Sequence, residues 1–131
     1  MKTMQVPAGR YCLKSYSMNI EEFREYCLAK KAVTEETPFG PDTLVFKVAG
    51  KMFALTDISE FSGINLKCDP ERAIELREQH PEIIPGYHMN KQHWNTVDPQ
   101  AGLSDKFVRE LIDDSYDLVV VSLPKKIRDS M

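Results

Sequence analysis

Apolar positions fall into a regular pattern from Met18 onward. Ile20, Phe23 and Cys27 follow the i, i+3, i+7 spacing of one helical face, predicting a first helix to about Lys31. Asn19 stands at its N-cap with Glu22 three residues on, an Asx form of the capping box; Met18 and Phe23 have the spacing of a hydrophobic staple. Residues 34–42, TEETPFGPD, predict a loop, because Pro38, Gly40 and Pro41 punctuate them. Leu44, Phe46 and Val48 then alternate with Val45, Lys47 and Ala49, the period of a strand. Gly50 marks a tight turn and Lys51–Thr56 (KMFALT) returns as a hairpin partner. Ile64, Leu66 and Cys68 alternate with Asn65 and Lys67 in a third strand. One face of this sheet is apolar and the other carries Lys47, Asn65 and Lys67, which suits an antiparallel sheet with helices on one side only.

Asp69-Pro70-Glu71 opens a second helix, with Asp at the N-cap, Pro at N1 and an acid in the first turn; Pro81 stops it after about His80. Residues 83–90 (IIPGYHMN) and 93–98 (HWNTVD) predict two short extended pieces separated by the polar Asn90–Gln92 turn. Ser104 opens the last helix, whose stripe is Phe107, Val108, Leu111, Ile112, Leu118 and Val119; Pro124 ends it and leaves a basic tail of Lys125, Lys126 and Arg128. The expected order is α-β-β-β-α-β-β-α, a two-layer α+β fold with an antiparallel sheet and helices packed on one face. Residues 18–131 are expected to form one domain. Residues 1–17, interrupted by Pro7, Ala8 and Gly9, stand as an N-terminal extension.

Size and composition agree with a single globular domain: 131 residues, 15.0 kDa, 42% apolar and 28% charged. No apolar run approaches the roughly 18 residues of a membrane span, and MKTMQVPAGRYCLKSYS contains no apolar stretch that could serve a signal peptide, so the expected address is the cytoplasm. Three cysteines, Cys12, Cys27 and Cys68, are odd in number and widely spaced, which fits small buried hydrophobes better than disulfides or a thiolate zinc site. Net charge is −3, but unevenly spread. Lys2, Arg10 and Lys14 in residues 1–17 face no acid, so residues 18–131 carry 14 basic against 20 acidic side chains, or −6. Nucleic-acid binding would then rely on a local patch and not on a global field.

Signatures of catalysis are missing. There is no G-x-S-x-G elbow, no S-x-x-K and no glycine-rich phosphate cradle, so no catalytic residue and no cofactor is expected. His88 and His93, five apart across a turn with no carboxylate between them, are not spaced as metal ligands. Glu21, Glu22, Glu25, Glu35 and Glu36 concentrate acid around the first helix and suit a solvated face near its N-terminus. Residues 86–96 (GYHMNKQHWNT) are unusual. Tyr87, His88, Asn90, Lys91, His93, Trp94 and Asn95 gather aromatics, histidines, a lysine and amides around one turn. That inventory can stack on bases and contact phosphates, with Lys47, Lys51, Lys67 and Lys91 neutralising charge if they share a face. It can equally anchor a core edge through Tyr87 and Trp94 under a wet turn. A protein-interaction surface on the open sheet face, in the manner of a chaperone-like fold, and a small-ligand or metal-binding domain are the alternatives.

Residues 18–28 (MNIEEFREYCL), 38–55 (PFGPDTLVFKVAGKMFAL), 65–78 (NLKCDPERAIELRE), 83–97 (IIPGYHMNKQHWNTV) and 115–126 (SYDLVVVSLPKK) together resemble the MmcQ/YjbR family. The resemblance spans about residues 18–128 in order, and Lys30-Lys31-Ala32 departs from a Leu-Pro-Gly-like turn common in members. It implies a CyaY-like, two-layer α+β fold and a DNA-binding protein with a "double wing" motif, and carries over no catalytic residue. On this chain the wings would be the hairpin around Gly50 and the Asn90–Gln92 turn. The shared polar block falls on Tyr87, His88, Asn90, Lys91, His93, Trp94 and Asn95, with Lys67 on the neighbouring strand.

Overall fold

The computed structural model describes residues 18–86 and 89–131. The N-terminal extension with Cys12, and the candidate residues Tyr87 and His88, lie outside the described residues.

Helix α1 (Ile20–Leu28) starts as its capping box demands: Asn19 Oδ1 accepts the Glu22 N–H at 2.8 Å, and Glu22 Oε1 accepts the Asn19 N–H at 3.0 Å. It stops at Leu28 and not near Lys31. Ala32, at φ 61°, turns the chain back into a strand that the loop reading of residues 34–42 did not anticipate. Strand β1 (Val33–Glu36) pairs antiparallel with β2 (Thr43–Val48), Val33 opposite Val48 and Glu36 opposite Val45. It holds a single apolar residue and is polar because it is an edge. The long edge of β2 supplies the hydrogen bonds that its own composition does not predict.

From β1 the sheet runs as a meander through β2, β3 (Lys51–Asp57) and β4 (Ile64–Lys67). Ala49 and Gly50 join β2 to β3 with φ of 49° and 86°, the two positive values that a type I′ hairpin turn requires. After α2 (Pro70–Gln79), β5 (Ile83–Pro85) takes the far edge and β6 (Trp94–Val97) returns between it and β4. Every pairing in the order β1-β2-β3-β4-β6-β5 is antiparallel.

One face of this sheet is the core. Leu44, Ile64, Val97 and Ile83 form one row across it, and Phe46, Ala54 and Leu66 the next. Against them pack Phe23 and Cys27 of α1, Ala73 and Leu76 of α2, and Val108, Leu111, Ile112 and Val119 of α3 (Asp105–Ser122). The helices line this one face only, the two-layer α+β arrangement. The basic tail is a further short helix, α4 (Lys125–Asp129), with a Lys125–Asp129 ion pair at 2.8 Å.

A bulge interrupts β3. Phe46 lies opposite Ala54, but Lys47 lies opposite Met52, so Phe53 is the extra residue. Phe53 and Ala54 consequently both face the core, and the β3–β4 ladder stops at the Ala54–Leu66 pair. Ser115 of α3, wholly buried, closes the gap: its hydroxyl accepts the Lys67 N–H at 2.8 Å and donates to the Phe53 carbonyl at 2.6 Å.

Candidate functional site

β3 begins, β4 ends and β6 begins at one end of the sheet, so the Gly50 turn, Lys67 and the Asn90–His93 turn project from that same end. The expected candidates are only partly brought together. Lys51 is exposed on the hairpin turn, and Lys67 sits on the open face in register with Trp94. Lys47 shares that face, with its ammonium 3.2 Å from Glu36 of β1. Lys91 Nζ donates to the Gly86 carbonyl at 3.2 Å, within its own loop.

The amides and His93 have structural roles in the turn. Asn90 Oδ1 accepts the Gln92 N–H at 2.9 Å, and the His93 carbonyl accepts the Cys68 N–H at 2.7 Å. Trp94 is 8% exposed and presses on Gly86, where an added Cβ would meet Trp94 Cβ at 2.8 Å. Strand alternation puts Asn95 on the opposite face. It is buried among the helices with Oδ1 accepting from Arg77 Nε of α2 at 2.7 Å. The Arg77 guanidinium also donates to the Lys91 carbonyl, which clamps the turn onto α2. Asn95 therefore has no access to a ligand on the Trp94 side, and Arg77, which the sequence did not single out, orders the loop.

The open face carries a larger feature. Val45, Leu55, Asn65, Thr96 and Ile84 lie in one row from β2 to β5, four strand spacings or about 19 Å. Along it runs a groove of about 740 Å³ walled by Phe39, Met52, Leu55, Ile84 and Met89. Phe39 is 69% and Ile84 49% exposed, large apolar side chains with no helix over them. Midway, Thr96 Oγ1 donates to Asn65 Oδ1 at 2.6 Å. On the groove's flank, at the C-terminal end of β3 and away from the lysines, lies Asp57, the only charged side chain among the described residues that line it. Its Oδ1 accepts the Ser62 N–H and hydroxyl at 3.1 and 3.2 Å, and its Oδ2 the Glu60 N–H at 3.1 Å. Partial burial pushes this carboxyl up, but the Ser62 and Glu60 donors more than offset it and hold it below the usual range.

Met52 and Leu55 escaped the sequence reading because of the bulge. They are three apart, which in an unbroken strand places them on opposite faces; the extra residue Phe53 brings them onto the same one. Phe39 lay in a segment read only as a loop, and Ile84 within a two-isoleucine pair whose alternation is too short to orient. No signal short of the strand pairing could have joined them.

Several of the remaining titratable groups have structural partners. Among the described residues, no three His, Cys, Asp or Glu side chains converge as a metal site. Of the acids around α1, Glu22 closes the capping box, Glu35 pairs with Arg24 at 2.7 Å and Glu36 with Lys47. Cys27 and Cys68 are buried free thiols, and burial pushes Cys27 up to about 12. Burial likewise raises Tyr26 to about 12, helped by the hydrogen bond its hydroxyl donates to Asp113 at 2.7 Å. No helix is long and apolar enough to cross a membrane among the described residues.

The same architecture recurs in known proteins. The YjbR family model matches residues 28–118, from the end of α1 into α3. YbdF of Escherichia coli O157:H7 is 48% identical over 92 residues, 68% of this chain and 74% of that protein. YjbR of Escherichia coli K12 is 34% identical over 112 residues, 85% of this chain and 95% of that one. The crystal structure of Deinococcus radiodurans protein DR2400, of the DUF419 domain, superposes with a TM-score of 0.82 at 38% identity, covering 90% of this chain and 91% of its own. A Pseudomonas syringae protein gives 0.66 at 34% identity over 77% of this chain and 98% of its own. The match runs through the strands that build both the lysine-bearing end and the open groove, and with it the chain belongs to the YjbR family.

Proposed function

We propose that this protein is a non-catalytic binding module whose working surface is the open face of the sheet, where it receives an extended, apolar polypeptide segment. The observation that carries this reading is the groove itself. It presents contiguous apolar side chains on a face that the helices leave uncovered, and such patches on single domains mark interaction sites. About 19 Å of groove takes roughly six extended residues at about 3.3 Å each. The Asn65 carboxamide nitrogen, which makes no hydrogen bond among the described residues, offers N–H donors to a peptide carbonyl midway along it.

The test is fluorescence anisotropy with a labelled, uncharged peptide of alternating leucine and serine. The full chain should bind it with little dependence on salt. Ile84→Lys should weaken binding at least tenfold while leaving the melting temperature nearly unchanged, because Ile84 is half exposed. Equal binding by the variant, or none by the unmodified chain, overturns the proposal.

Duplex DNA binding is the second reading. It is favoured by the placement of Lys51 and Lys67 between two turns at one end of the sheet, the arrangement a pair of wings would need. Lys47 and Lys91 already have partners, so the site would contribute about two phosphate contacts. Replacing Lys51 and Lys67 with alanine should then flatten the slope of log affinity against log salt by about two, measured with duplex DNA between about 50 and 200 mM salt. An unchanged slope removes this reading.

A further inference from the structure

Resting on the groove as a peptide site, we infer that its occupant carries a lysine or arginine side chain at the Asp57 end, so that the module selects basic, apolar segments over acidic ones. Among the described lining residues, Asp57 is the only charge, and no cation shares the groove with it. The loop donors, two from Ser62 to Oδ1 and one from Glu60 to Oδ2, act together with Asp57's own backbone N–H to favour the ionised carboxylate. Its negative charge, with no other charged side chain among the described lining residues, attracts an ammonium or guanidinium.

The loop holding Asp57 is unusually well fixed. Phe61 adopts φ 50°, a costly value for a bulky residue, and is held there by burial of its ring against Phe23 of α1 at 5.6 Å. Gly63, two residues on, lies so close to β6 that a Cβ would meet Thr96 Cγ2 at 2.8 Å. The carboxylate is therefore presented in one place, and a cation meeting it there need not order the loop first. The donors that fix the loop also keep Asp57 ionised at neutral pH.

The experiment uses the full chain and two labelled leucine–serine peptides that differ at one terminal position, lysine in one and glutamate in the other. In about 50 mM salt the lysine peptide should bind about tenfold tighter. The preference should shrink severalfold in about 500 mM salt, where screening extends to only a few ångströms. Asp57→Asn should bring the two affinities within threefold. The salt series on the unmodified chain keeps the inference testable if that variant folds poorly. Equal affinities at both salts, or tighter binding of the glutamate peptide, overturn the charge selection and leave the groove standing as a peptide site. Failure of both peptides to bind overturns the groove reading as well.

Discussion

Ala32 and Ser115 each carry a local burden that one substitution exposes. Ala32 holds φ 61° at the turn between α1 and β1, a region where a Cβ costs roughly 1–2 kcal/mol relative to the right-handed helix. Glycine adopts that conformation freely but loses more entropy on folding. Because Ala32 is exposed and packs against nothing that its methyl would miss, Ala32→Gly should stabilise the protein by about 0.5–1 kcal/mol in urea unfolding. Ser115→Ala acts in the other direction. It strands the Lys67 N–H and the Phe53 carbonyl in the core, and an unsatisfied buried group costs about 1–3 kcal/mol, so the loss should be about 3 kcal/mol. A loss under 1 kcal/mol would mean that β3 and β4 close the bulge directly.

At the scale of elements, α1 depends on its cap. Asn19→Ala removes the acceptor for the Glu22 N–H and should cost about 1 kcal/mol, read in the same unfolding assay. The loop from β3 to β4 has a pH signature. Its donors hold Asp57 below the ordinary carboxylate value, so the stability it contributes is fully present above its unfolded pKa of about 3.9. That contribution drains away as the pH falls through the lower native value. Asp57→Asn should therefore show its full deficit near neutrality and a shrinking one below about pH 4. A deficit independent of pH between about 7 and 3 would assign the loop's stability to its packing alone.

Across the whole molecule, burial is graded from centre to edge. β2, β3, β4 and β6 are paired on both sides, and the first three lie over α3, whereas β1 and β5 are short edges, one polar and one ending in Pro85. Native-state hydrogen exchange should accordingly be slowest in β3 and β4 and at least tenfold faster in β1 and β5. Uniform protection from edge to edge would instead mean that the sheet opens only by global unfolding.

The α+β class, the three longer helices and the order of five strands were legible in the chain because each depends on neighbours in sequence. A cap and its box lie three residues apart, a helical stripe repeats every three or four, and a proline ends a helix where it stands. Those interactions are local, and Asn19, Asp69 and Ser104 announce them. The polar block of residues 86–96 was equally visible as a composition, but not its division. Trp94 and Asn95 point to opposite faces, and Arg77, distant in sequence, holds the latter inward. β1 and the groove were decided by tertiary structure alone. A strand with one apolar residue exists because β2 offers it an edge. Met52 and Leu55 share a face because a bulge shifts the register, and that bulge is stable because Ser115, more than fifty residues away, satisfies the backbone it leaves open. Local spacing writes elements into a sequence; which faces they present is settled only when distant backbone groups find their partners.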